Sequence, residues 1–209
     1  MRPRLTCRIA RRNAQQGRWI LPEVTGERPS ARAFHTATLV PGVGVVVFGG
    51  LSFDGHAHRD AFVLTVLPKD ETNGSWTLQW KQLGSCRWPR AGHVAAYQPS
   101  RVRCWHPAPP VRVRICLTRT AFGSIQGLFF VGGMMRSRAG EDIFRTDGCM
   151  LRIGAWQRPS AGLSWMYTDE TVRLPPRRCM AGALVGQRLL LHGGCEGQPK
   201  SQLLDERQR

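Results

Sequence analysis

Val45-Val46-Val47-Phe48-Gly49-Gly50 is the stretch on which the reading of this chain turns. An apolar run ends in two glycines, and the figure returns twice, as Leu128-Phe129-Phe130-Val131-Gly132-Gly133 and as Leu189-Leu190-Leu191-His192-Gly193-Gly194. A short continuous apolar run bounded by glycine reads as a buried strand. Glycine at the strand end permits positive φ and lets another backbone come close. One such figure is within reach of chance. Three in a chain of 209 residues argue for an internal repeat, and a repeat decides the fold before anything else does.

The text around each pair is also similar. Upstream stand Pro29-Ser30-Ala31-Arg32-Ala33-Phe34-His35, Pro89-Arg90-Ala91-Gly92-His93 and Pro175-Pro176-Arg177-Arg178-Cys179-Met180. Arg32 precedes His35 by three residues, as Arg90 precedes His93; the third unit lacks the histidine, and Arg178 is taken as its arginine. Downstream, Asp60 stands two before Phe62 and Asp142 two before Phe144, so both carboxylates are read as caps that accept backbone N–H bonds. Trp80 lies nine residues before Pro89, and Trp165 ten before Pro175.

This set of features resembles the kelch repeat: an Arg…His opening, a hydrophobic strand ending in Gly-Gly, then a spaced aromatic and a Trp. The resemblance spans residues 27–205. It implies an all-β chain forming part of a kelch-type β-propeller, each unit of about 50 residues building one four-stranded blade. About three blades are expected, from repeats at 27–84, 85–170 and 171–209. The second is interrupted by an insert at 98–124, and the third is incomplete. The structural positions are Gly49, Gly50, Gly132, Gly133, Gly193, Gly194, Trp80, Trp165, Arg32, Arg90 and Arg178. Truncating a buried Trp80 or Trp165 to Ala should cost about 3–5 kcal/mol. Glycine pairs marking hairpins of some other all-β domain are the bland alternative, which the co-occurring Arg/His, Phe and Trp positions disfavour. No long segment carries apolar residues at helical spacing.

A closed ring of six such units needs about 300 residues, and three blades leave two open faces. Three resolutions stay open: a piece of a longer propeller, a second chain that completes the ring, or an imperfect gene product. The ending inside the third unit, after Ser201-Gln202-Leu203-Leu204-Asp205, favours truncation. Residues 1–26 read as a basic extension without fixed structure. They are arginine-rich and acid-free up to Glu23, as mitochondrial leaders are, but Pro3 and the absence of serine in the opening stretch argue against that. The insert is rich in proline and arginine, and no Asp or Glu occurs from Thr72 to Gly140. A mobile loop or an aberrant insert is expected there in preference to a dedicated binding loop.

Seven cysteines without a C-x-x-C argue against a disulfide framework and for a reducing compartment, the cytoplasm first and the nucleus second. No apolar stretch reaches membrane-span length. The net charge of +16 invites a nucleic-acid reading, but the positive residues are nearly all arginine, spread along the chain, and no binding module is recognisable. His56-Ala57-His58, and Cys104-Trp105-His106 with Cys116, have ligand types without the paired spacing of zinc sites. No nucleophile elbow, P-loop or dinucleotide fingerprint occurs. Some kelch-like propellers are radical-copper or sugar-isomerising enzymes, but with only Tyr97 and Tyr167 no copper set can be assigned. Neither catalytic residues nor a cofactor are expected.

The expected function is therefore a protein-interaction scaffold that binds through loops after the glycine pairs: Ser52 to Arg59, Met134 to Gly140, and Cys195 to Lys200. Arg59, Arg136 and Arg138 there suit an acidic protein partner, because arginine binds carboxylates bidentately. The alternative is a basic RNA- or anion-binding protein, and a kelch-like enzyme comes third.

Overall fold

A computed structural model describes residues 11–12, 19–20, 22–67, 76–99, 115–116, 126–137, 139–152, 164–167, 174, 176–185 and 188–196. These form strands and turns, with no helix among the described residues.

Two short strands, β1 (Arg11–Arg12) and β2 (Trp19–Ile20), pair antiparallel. The first blade follows as β3 (Glu23–Gly26), β4 (Thr36–Val40), β5 (Gly44–Phe48), β6 (Asp60–Val66) and β7 (Thr77–Ser85). Strands β4 to β7 make an antiparallel meander, and β3 adds in parallel on the outer edge of β7. The expected unstructured extension is thus corrected: Glu23–Gly26 pairs backbone to backbone with Thr77–Trp80.

The second blade contains β8 (Val94–Gln98), β10 (Gly127–Val131), β13 (Gly148–Arg152) and β14 (Trp165–Tyr167), again an antiparallel meander. Between its members lie β9 (Ile115–Cys116) and the hairpin of β11 (Met134–Arg136) with β12 (Asp142–Phe144). Only the beginning of the third blade is described: β15 (Arg177–Arg178), β16 (Ala181–Val185), β17 (Arg188–His192) and β18 (Cys195–Glu196). These are the blades of a partial β-propeller.

Register makes the repeat explicit. Ala37 faces Val47, Ala95 faces Phe130 and Gly182 faces Leu191, each one residue before the last strand position ahead of a glycine pair. Trp80 opposite Leu64 and Trp165 opposite Leu151 are likewise equivalent. The insert brings a surprise: Ile115 pairs with Leu189 as Leu151 pairs with Leu128, so β9 takes the third-strand place of the third blade. The rest of the insert lies outside the described residues, apart from Gln98 and Pro99 at its start.

Two apolar layers hold the blades together. Val40, Val46, Phe48, Ala61 and Val63 of the first blade pack on Leu128, Phe130, Cys149 and Leu151 of the second, with Trp165 at the margin. The opposite side of the second blade (Val94, Phe129, Val131, Met150) packs on Leu184, Leu189 and Leu191 of the third. Because the second blade is covered on both sides, every residue of β10 is buried, which is why its sequence runs apolar without alternation. Trp80 and Trp165 differ in surroundings for the same reason. Trp165 sits in the first layer with its ring 5.1 Å from that of Phe48, whereas Trp80 packs with Val47 and Phe62 on the side of the first blade away from the second.

Candidate functional site

The glycine pairs are where blades meet. In each unit an arginine reaches its own pair: Arg32 Nη1 donates to Gly49 O at 3.2 Å, Arg90 Nη1 to Gly132 O at 3.0 Å, and Arg177 Nη1 to Gly193 O at 3.1 Å. The third member is Arg177, which corrects the assignment of Arg178. Arg178 turns to Asp142 at 3.2 Å instead. The first two arginines also pair with the carboxylate that opens the third strand, Arg32 with Asp60 at 2.5 Å and Arg90 with Asp147 at 2.8 Å. Asp147, not Asp142, is therefore the partner of Asp60. The β11–β12 hairpin lengthens the connection after Gly133 and carries Asp142 into the loop.

The second glycine of the first two pairs faces the next blade. Gly50 N donates to Arg90 O at 2.8 Å, and Gly133 N to Arg177 O at 3.1 Å. At Gly50 and Gly133 φ is +103° and +89°, and an added Cβ would crowd the carbonyl of Ala33 or Ala91 at 2.7 Å. Both the left-handed backbone and the close approach exclude a side chain there. A second inter-blade ladder was not legible in the sequence. Gly92 N donates to Phe34 O at 2.9 Å and Cys179 N to Gly92 O at 2.7 Å, and all three residues share positive φ, +56°, +62° and +57° along the chain.

The loops after the glycine pairs lie side by side. The Ser52–Arg59 loop is closed by Ser52 N donating to His56 O, with Ser52 Oγ bonded to Asp54, and it lifts Phe53 into solvent, 95% exposed. A Cβ on Gly55 would stand 2.6 Å from Arg136 Nη1, so the guanidinium of the second blade's hairpin abuts the loop of the first. Arg136 and Arg178 flank one carboxylate, Asp142, at 3.4 and 3.2 Å. Arg59 is exposed. Arg138 lies outside the described residues, and of the third loop only Cys195–Glu196, both exposed, is described. Nearby, the guanidinium groups of Arg87 and Arg145 each lie 4.9 Å from the Trp88 ring.

No family model matches the chain. Kelch domain-containing protein 3 of Homo sapiens is 24% identical over 224 residues, covering 90% of this chain and 54% of the relative, and that of Bos taurus matches to the same extent. Rab9 effector protein with kelch motifs, of Homo sapiens, is 38% identical over 85 residues, 39% of this chain and 21% of the relative. The solved structure of YjhT superposes with TM-score 0.52 at 16% identity, over 90% of this chain and 45% of that one. The units are kelch repeats. The chain spans about half the length of the kelch relative it matches along most of its length.

The polar residues of the kelch joints are structural in their chemistry. Burial, with Arg90 nearby, depresses His93 to about 3, so it stays neutral; its Nε2 lies 2.8 Å from Thr36 Oγ1 of the preceding blade. Burial alone would raise Asp147, but Arg90 and Arg145 outweigh it and hold the carboxyl at about 2. The Cys86 and Cys149 sulfurs touch at 3.6 Å across the first joint. The hydrogen bond to Cys149 lowers Cys86, and burial pushes Cys149 up. His56 and His58 stand with ring centroids 6.4 Å apart, and the described residues contain no group of three or more metal-type ligands. Cys104 and His106 lie outside the described residues.

Proposed function

We propose that this kelch-repeat chain is a binding module that grips an acidic protein segment at the adjoining loops of its first two blades. The reading rests on one observation: Phe53, an exposed aromatic at a loop tip, stands on a loop that touches Arg136 of the next blade. A protruding aromatic beside guanidinium groups is the composition of interface hot spots. Arg136 and Arg178 flank the carboxylate Asp142, and Arg59 is exposed, with Asp54 and Glu141 exposed on the same two loops. Arginine then supplies bidentate recognition of carboxylates and Phe53 the apolar anchor. The chemistry is association, with no bond made or broken. One of the curated relatives is named as a Rab9 effector, which accords with protein partners in general.

The test is fluorescence anisotropy with a labelled peptide alternating Glu and Leu. The Arg59→Glu/Arg136→Glu double variant should weaken binding about tenfold or more, and Phe53→Ala should weaken it separately. Binding that is indifferent to all three changes sinks the proposal. The second reading, a general anion binder, is favoured by the net charge of +16 and by the Arg87–Trp88–Arg145 stack. A steep salt slope with nonspecific RNA, and no preference for the peptide, would select it.

A further inference from the structure

Cys86 and Cys149 meet where the first two blades join. Cys86 is the residue after β7, and Cys149 lies within β13 of the second blade. Their sulfurs stand 3.6 Å apart, and each residue is 1% exposed. Cys149 faces Phe130 as Phe62 faces Val47, so a thiol stands where the first blade holds a phenylalanine. Apolar filling alone does not call for sulfur there. Polar groups gather round the pair. Tyr167 OH lies 3.9 Å from Cys86 Sγ and accepts from Arg87 N at 2.8 Å. The buried Arg90 donates through Nη1 to Gly132 O and Asp147 O and through Nη2 to Asp147 Oδ2, yet its Nε has no hydrogen-bond partner among the described residues. The hydrogen bond between the sulfurs, helped by the Arg90 charge, holds Cys86 below the ordinary thiol range, whereas burial pushes Cys149 up. The pair is thus asymmetric: one sulfur favours the thiolate and its neighbour keeps a proton. The thiolate is the nucleophile in thiol oxidation.

We propose that Cys86 and Cys149 are a modification site at which a hydroperoxide forms a disulfide that fastens the first blade to the second. The Cys86 thiolate attacks the terminal peroxide oxygen. The O–O bond breaks, Cys86 becomes a sulfenic acid, and the leaving alkoxide or hydroxide takes a proton from solvent. The Cys149 sulfur then displaces the sulfenic oxygen and forms the S–S bond, and its thiol proton departs with that oxygen as water. Two thiols lose two electrons and two protons in all, and the peroxide is reduced to an alcohol and water, or to water alone. Small thiols reverse the bond by exchange. A hydroperoxide is small enough to reach the pair past Tyr167, which is 38% exposed on the three-residue edge strand β14. Short edge elements open locally at little free-energy cost. Cys86 N also donates to Arg59 O at 2.8 Å, so the bond anchors the base of the Ser52–Arg59 loop to the second blade.

The experiment treats the reduced 209-residue chain with equimolar hydrogen peroxide, blocks the remaining thiols with iodoacetamide in urea, and maps tryptic peptides by mass spectrometry. The expected product joins Gln82–Arg87 to Thr146–Arg152. It should be on the order of tenfold more abundant than any other pairing of the seven cysteines, because contact raises the effective concentration. The chain oxidised in urea should lose that preference. Cys149→Ser should abolish the link and leave Cys86 as a sulfenic acid that dimedone traps, whereas Cys86→Ser should leave Cys149 a free thiol. Far-UV circular dichroism checks that both variants fold, and Cys149→Ala or Cys86→Ala replaces one that does not. Oxidation confined to the exposed Cys179 and Cys195, with Cys86 and Cys149 still alkylated after denaturation, overturns the proposal. So does an equal preference for the pair in the unfolded chain, or a folded Cys149 variant that yields no dimedone adduct at Cys86.

Discussion

Strands β10 and β17 carry the same figure, an apolar run ahead of a glycine pair, yet only β10 is buried throughout. In β17, Leu189 packs inward while Leu190 and His192 face solvent. A continuous apolar run announces a strand meant to be covered on both sides, but the cover comes from neighbouring blades. The sequence of β17 already bends to its situation: His192 stands where the first two blades have Phe48 and Val131.

Substitutions at paired positions test that difference directly. Phe129→Ala should cost about 3–5 kcal/mol in urea denaturation, against about 0.5 kcal/mol or less for Leu190→Ala. Equal costs would mean that the third blade is covered after all. Arg90→Ala should cost about 3 kcal/mol, the lower end for breaking a buried pair, because Arg145 still neutralises Asp147. Its counterpart Arg177→Ala, with a half-exposed pair to Glu196, should cost about 1 kcal/mol or less.

Gly133→Ala should cost about 1–3 kcal/mol, through strain at φ +89° and crowding of the Ala91 carbonyl. Gly193→Ala, with φ +68° and open space around it, should cost only the strain of about 1–2 kcal/mol. The last test is a pH dependence. His93 is depressed to about 3 from 6.5, so the unfolded chain binds the extra proton. The contribution is complete above pH 6.5 and is lost progressively as pH falls toward 3. About 1 kcal/mol should disappear over the first pH unit below that value. His93→Gln should flatten the slope, leaving a smaller part from His58, which burial and Arg32 also depress.

The repeat was legible because glycine pairs, arginines and tryptophans are demanded by geometry that no other residue supplies. What misled was spacing. The doublet Arg177-Arg178 offers two candidates, and the histidine that would have chosen between them is replaced by Met180. Asp142 mimics Asp60 in its distance to a phenylalanine, but ion pairing to Arg90 picks out Asp147 across a hairpin whose length the sequence pattern did not reveal. Residues 115–116 pair with a blade that their own repeat does not build, a long-range choice without a local signature. The loop cluster was half visible: Arg59 and Arg136 stood out by charge, whereas Phe53 drew no notice as a single aromatic between Ser52 and Asp54.

The Phe34–Gly92–Cys179 ladder has a grammatical direction: Gly92 donates back to Phe34 and accepts from Cys179, so the second blade carries donor and acceptor on a single residue. A duplicated blade spliced in tandem would inherit both halves of the link and lengthen the arc without inventing a contact. A blade inserted in the opposite sense would bring donor to donor, so growth of such an arc runs one way only.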